Sequence, residues 1–187
     1  LKLNSEYTKT LPEKKYMVSV LSNIITAQLN EILEYNLRID GVPATLSTGD
    51  YDNIVQDSQK FKKSNTIIIF WELCNIIDGL QYRIELLNDG QLDEILEKTK
   101  SEIDLVLKNL EKTSLVLINK FTSLSFSSLN IRKNNFEELA GQLNQYLENS
   151  IPANVRLVEL EKVIANTGLD NGLDLRYYYS SKALYTV

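Results

Sequence analysis

A chain of 187 residues, 43% hydrophobic and 24% charged, suits one α/β domain that buries roughly 70% of its extended-chain surface. Its net charge of -5 excludes a nucleic-acid backbone as partner, because phosphate binding needs clustered Lys and Arg; the densest basic run, Lys60 to Lys63, reads as a solvated loop ahead of a strand. Histidine is absent altogether, which rules out a Ser-His-Asp triad and any zinc site built on imidazole, and leaves a carboxylate-only site as the one metal option.

The single cysteine, Cys74, forbids an intrachain disulfide, and the chain is expected to be cytoplasmic. No apolar run approaches the ~20 residues that span a bilayer. The N-terminal stretch LKLNSEYTKTLPEKKY has none of the apolar character of a signal peptide, so no membrane partner is expected. The first residue is Leu1 rather than Met, which reads as a part of a longer protein.

In chain order, residues 1–15 form a polar N-terminal arm. Tyr16 to Leu21 (YMVSVL) is a β-branched apolar run that predicts a buried strand. Ile25, Leu29, Ile32, Leu33 and Leu37 then recur at helical spacing until Asp40 to Pro43 stops the helix. ATLSTG, ending on Gly49, is a weaker second strand, and DYDNIVQDSQKF a short helix or an irregular loop. NTIIIFWEL (Asn65 to Leu73) is the strongest strand, and its continuous Ile-Ile-Ile-Phe implies burial on both faces.

Ile76, Ile77 and Leu80 open a helical tract that Asn88 to Gly90 interrupts. Leu92, Ile95, Leu96, Ile103, Val106, Leu107 and Leu110 then line one side of a long helix. Glu94 with Lys98 and Asp104 with Lys108 are acid-before-base pairs on its outer face. Ser114 to Asn119 is a fourth strand, and FTSLSFSSLNIRKN a polar loop long enough to border a site. Phe136, Leu139, Ala140, Leu143, Tyr146 and Leu147 make another amphipathic helix, and Asn154 to Leu160 a fifth strand running into a short helix.

Strand and helix alternate almost throughout. That order predicts a three-layer α/β fold over residues 16–170, with a mainly parallel five-stranded sheet in the flavodoxin-like order 2-1-3-4-5. Residues 171–187 read as a linker or docking segment. Open parallel sheets bind ligands at the carboxyl ends of their strands. Here those ends carry Ser22 and Asn23, Thr48 and Gly49, Trp71 to Asn75, and Asn119 with Lys120; Trp71, Asn119 and Lys120 are the candidate binding residues.

At these residues the sequence resembles known families. Leu21 to Leu29 (LSNIITAQL) is similar to the first block of SGNH (GDSL-type) hydrolases, L-G-D-S-I-T-A-G-L. Ser22 falls on that block's Gly, Asn23 on its Asp and Ile24 on its nucleophilic Ser. The resemblance implies that Gly49 stands for the second-block oxyanion glycine and Asn75 for the third-block asparagine. The fourth element, D-x-x-H, has no histidine to supply it.

VSVLSNIITAQL, GDYDNIVQDS, IIIFWEL and LDLRYYYSSKALYT also look like the N-terminal region of FkbH-like proteins, in which an SGNH-like region precedes a haloacid dehalogenase (HAD) type catalytic domain. The HAD signature Asp-x-Asp-x-Thr does not occur in the chain. The resemblance therefore implies a catalytic domain beyond Val187, using Mg2+ on a phosphorylated three-carbon unit, with an acyl carrier protein as a partner of some relatives. No cofactor is expected in this segment.

Each candidate has a plainer reading. Ser22 is a nucleophile with Glu72, Asp50 or Lys120 as base, or it joins Asn23 in capping the first helix. Glu72 is an acid or cation ligand, or a carboxylate paired with Lys or Arg at the sheet edge. Trp71 and Phe70 read as core, Cys74 as a small buried apolar residue, and Asp50 and Asp52 as turn chemistry or a cation site. Arg176, Tyr177, Tyr178, Tyr179 and Tyr185 form an aromatic strip that docks another domain or packs on its own. The main reading is a non-catalytic SGNH-like domain that positions the catalytic domain or a carrier, and two further readings stand beside it. One is an active esterase with a non-histidine base. The other is a flavodoxin-like ligand module, against which counts the lack of a G-x-G-x-x-G or P-loop.

Overall fold

The computed structural model describes residues 15–123 and 134–186. Almost all of the N-terminal arm, most of the polar loop between Phe121 and Asn134, and Val187 lie outside the described residues.

Five strands form one all-parallel sheet: β1 (Tyr16–Ser22), β2 (Ala44–Thr48), β3 (Thr66–Phe70), β4 (Leu115–Asn119) and β5 (Val155–Val158). Their order is β2-β1-β3-β4-β5, as the alternating pattern predicts. Val20 sits between Thr48 and Ile68, and Leu117 between Ile68 and Arg156, so β1, β3 and β4 are flanked on both sides. Burial follows: Val20, Ile67 and Val116 have no exposed surface. Ser19 is equally buried in β1, and its hydroxyl is satisfied by Ser47 and Ser64, each at 2.7 Å.

The crossovers set the layers. Helix α1 (Ala27–Ile39) carries the chain from β1 out to β2 and packs against that edge strand. Helix α2 (Ile54–Phe61) leads back across β1 to β3. Beyond β3 come a 3-10 turn (Leu73–Asn75), the short α3 (Leu80–Arg83) and the long α4 (Asp89–Asn109), then α5 (Asn135–Ser150) between β4 and β5. Because α2, α4 and α5 all carry the chain in the opposite direction to α1, right-handed crossovers put them on the other face, where α4 contacts both α2 and α5. After β5 follow α6 (Leu160–Thr167), α7 (Leu169–Gly172) and α8 (Leu175–Ser181).

Local chemistry corrects several expectations. Asn88 is a helix start rather than a break: its side chain accepts from Gln91 N at 2.9 Å while its own N–H donates to Gln91 Oε1 at 3.1 Å, a reciprocal capping box for α4. On the outer face of α4, Lys98 pairs forward with Glu102 at 3.7 Å, and Asp104 accepts from Tyr146 on α5 at 2.7 Å, in place of the two expected pairs. The third strand ends at Phe70, short of Trp71 to Leu73, because side-chain amides take over its hydrogen bonding. The tyrosine-rich segment carries a short helix, α8, whose N-cap Asp174 accepts from Arg176 N and Tyr177 N.

Ile67 lies in the middle of the core with no exposed surface, whereas Met17 on the same sheet is 49% exposed. Ile67→Ala is therefore expected to lower the unfolding free energy by about 3 kcal/mol, and Met17→Ala by about 0.5 kcal/mol or less. Urea denaturation with an unchanged m-value checks the pair.

Candidate functional site

The carboxyl ends of β1, β3 and β4 meet around two residues, Trp71 and Glu72. Asn23, just past β1, donates from Nδ2 to Glu72 O at 2.8 Å and accepts from Glu72 N at 2.7 Å. Asn119, the last residue of β4, accepts from Trp71 N at 2.7 Å and donates to Trp71 O at 3.1 Å. Two side-chain amides thus continue the ladder past the point where the three strands diverge, one from each side. Both asparagines are buried, with their amides turned to the backbone of the β3 extension.

The remaining predicted residues fit around this clamp. Asn75 donates to Asn23 O and, at 3.0 Å, to Tyr51 Oη, and accepts from the Tyr178 hydroxyl at 2.8 Å. Ser22 donates to Ile24 O at 2.7 Å, with Thr26 Oγ1 at 3.5 Å. The N-cap of α1 is Thr26, without a side-chain cap bond; Ser22 and Asn23 do not cap the helix, since Ser22 bonds the Ile24 carbonyl within the turn and Asn23 bonds the Glu72 backbone. Neither partner of Ser22 is a base. Ile24 is 1% exposed.

Gly49 shows why glycine occupies that position. Its N–H donates to Val20 O at 2.8 Å, so it is spent on the sheet rather than aimed at an oxyanion. A Cβ there would stand 2.5 Å from Asp57 Oδ2 and 2.9 Å from Leu21 Cδ2. Asp57 is buried at the first turn of α2 and accepts from Asp50 N at 2.6 Å. The Asp50–Asp52 stretch is thus turn chemistry. Among the described residues no group of three or more His, Cys, Asp or Glu side chains is placed to hold a metal.

Glu72 carries the main electrostatic feature. Its carboxylate is buried and accepts from Asn119 Nδ2 at 2.8 Å, Thr122 Oγ1 at 3.0 Å and the Tyr185 hydroxyl. These donors are neutral, so the expected pairing with Lys or Arg at the sheet edge does not form. Burial pushes the acid up to about 7, against the hydrogen bonds from Tyr185 and Thr122, which favour the charged form, and with Glu161 adding repulsion. Burial likewise pushes the Cys74 thiol up to about 12, the opposite of an activated nucleophile.

Two predicted binding residues turn their side chains away from Glu72. Lys120 turns outward to Glu148 at 2.6 Å and Glu159 at 3.3 Å. Trp71 packs on Phe121 with ring centroids 6.3 Å apart and is core. The aromatic strip divides. Tyr178 and Tyr185 turn in to bond Asn75 and Glu72, whereas Arg176, Tyr177 and Tyr179 face outward, Tyr179 stacking on Tyr82 at 5.8 Å. Tyr51, Thr122 and Asp57 complete the site without having been singled out from the sequence. Tyr51 and Asp57 flank the Gly49 turn and were legible as part of it; Thr122 carries no signal of its own.

No protein-family model and no curated protein sequence matches the chain. Among solved structures it is similar to the N-terminal part of the Bacteroides fragilis protein BF1531, a structure containing a phosphatase domain and complexed with Mg. The TM-score is 0.78 at 15% identity over 99% of this chain and 50% of that one, so the chain spans about half the length of the structure it matches. At that identity the likeness establishes the fold.

Glu72 gives stability a defined pH dependence. Its native value, about 7, lies above the ordinary 4.5, so between the two the native state holds the extra proton and stability falls as pH rises. Glu72→Gln removes that titration while Oε1 still accepts from Asn119 and Tyr185. The unfolding free energy of the variant relative to the parent is expected to grow by about 3 kcal/mol from pH 4.5 to pH 7 and then level off. Urea melts across that range provide the measurement; a constant difference would show that Glu72 is not the titrating group.

Proposed function

We propose that this chain is a non-catalytic, SGNH-like N-terminal domain of an FkbH-like protein, and that it positions a HAD-type catalytic domain following Val187. The observation that carries the reading is the state of the strand ends. Ile24 fills the slot of the nucleophile, the Gly49 amide is spent on Val20, and the Asn75 amide is spent on Asn23 and Tyr51. An acyl-transfer site needs a nucleophile beside a base and donors free to meet a developing oxyanion. Here each group is occupied by another part of the same domain.

The resemblance of the BF1531 structure supports the context, because this chain matches half of a longer chain that contains a phosphatase domain. Mg2+ then belongs to the catalytic domain, acting on a phosphorylated three-carbon unit, with an acyl carrier protein as a further partner. A carrier of acidic character would meet a domain of net charge -5, which counts against direct electrostatic docking of the carrier on this domain. The single buried thiol of Cys74 suits the cytoplasm.

Against this stands the esterase reading with Ser22 as nucleophile. Incubated alone, the chain is expected to turn over neither p-nitrophenyl acetate nor, with Mg2+, p-nitrophenyl phosphate. The protein extended past Val187 is expected to hydrolyse the phosphate ester in an Mg2+-dependent way. Acetate turnover that Ser22→Ala abolishes, with the fold intact by circular dichroism, would overturn the proposal.

A further inference from the structure

The segment from Leu173 to Thr186 folds back over the mouth of the sheet. It closes on itself through an isolated antiparallel bridge between Leu173 and Tyr185, through Asp174 N donating to Leu184 O at 3.0 Å, and through Thr186 N donating to Gly172 O at 3.1 Å. Helix α8 lies within that loop and ends at Lys182, whose φ of 60° is left-handed without being glycine.

Core packing by Leu173, Tyr178 and Leu184 and a set of hydrogen bonds fasten the loop to the domain. Ile25 N donates to Lys182 O at 3.0 Å, the Tyr178 hydroxyl to Asn75 Oδ1 at 2.8 Å, the Tyr185 hydroxyl to Glu72, and Lys182 Nζ to Asp78 at 3.1 Å. Tyr178 and Leu184 have no exposed surface. Along its other edge the loop does not seat flush: a groove of about 390 Å³ separates Tyr177, Ala183 and Tyr185 from Ile25 and Leu29 at the start of α1.

We propose that this segment is a proton-linked latch, closed over the sheet mouth when Glu72 is neutral and loosened when Glu72 is charged. Closing it seals the carboxylate under Tyr185 among neutral donors; opening it lets water reach the charge. The closed state therefore binds a proton more tightly than the open state, and closing takes a proton up.

The groups facing Glu72 are consistent with its being the one that titrates. Tyr185 and Tyr178 on the latch, Tyr51 from the β2–α2 turn and Cys74 below are all raised by burial first, and stay neutral at pH 5 to 7. Glu161 on α6 adds like charge. Lys182 on the latch bonds Asp78, and Lys120 at the end of β4 is held by Glu148 and Glu159.

Amide hydrogen exchange on the full chain, corrected for the intrinsic effect of pH, tests the latch. Protection at Ile25, Asp174 and Thr186, whose N–H groups fasten or close it, is expected to fall as pH rises from 5 to 7, by as much as about tenfold per unit, and then to level off. Protection at Ile68 and Val116 in the sheet is expected to remain higher throughout. In Glu72→Gln the latch amides are expected to lose this dependence, and in Tyr185→Phe to exchange several-fold faster than the parent at pH 5. A parent profile without pH dependence, a Glu72→Gln profile that follows the parent, or latch amides as strongly protected as the sheet amides would each overturn the proposal.

Discussion

A carboxylate, Glu72, is closed away from water at the end of the central strand and is held by three neutral donors, the Asn119 amide and the hydroxyls of Thr122 and Tyr185. A buried charge of this kind is tolerated only when its oxygens are satisfied, and even then it moves toward neutrality. Much of the surrounding structure answers to that requirement. Asn119 is fixed by Trp71 so that its remaining N–H faces Glu72. The C-terminal segment returns across the sheet so that a tyrosine from more than a hundred residues downstream can supply a hydroxyl.

Asparagine is the tool by which this chain ends its strands. Asn23 and Asn119 grip the backbone of Glu72 and Trp71, and Asn144 on α5 does the same for Phe121, accepting from its N–H at 2.8 Å and donating to its carbonyl at 3.0 Å. A primary amide offers a donor and an acceptor at nearly the spacing of a peptide group, so it can replace one rung of a ladder where the neighbouring strand has turned away. The same use removes those amides from chemistry. Here they hold the β3 extension in place.

The candidate site was legible in part. Ser22, Asn23, Gly49, Glu72, Asn75 and Asn119 were all placed at strand ends by the hydrophobic pattern, and the structure brings them to one edge of the sheet. Their bonding was not legible, because a Ser-Asn pair ahead of a helix reads locally as a cap, whereas the partner that decides otherwise for Asn23 lies about fifty residues away. The tyrosine-rich strip shows the same limit. Its composition suits an interface, but whether a given ring turns in or out depends on the turn of α8, which buries Tyr178 and leaves Tyr177 and Tyr179 exposed on either side.

Local signals were enough to place the five strands, the helices other than α2 between them and the parallel order of the sheet, because β-branched runs, helical spacing and right-handed crossovers act over short stretches and leave few alternatives. The missing histidine alone removed a catalytic triad. Only the tertiary structure decided which polar groups meet: that Glu72 faces hydroxyls and an amide rather than a cation, that Gly49 spends its amide on the sheet, and that the last residues cover the strand ends. Those outcomes rest on contacts between segments remote in the chain, and periodicity and propensity carry no information about such contacts.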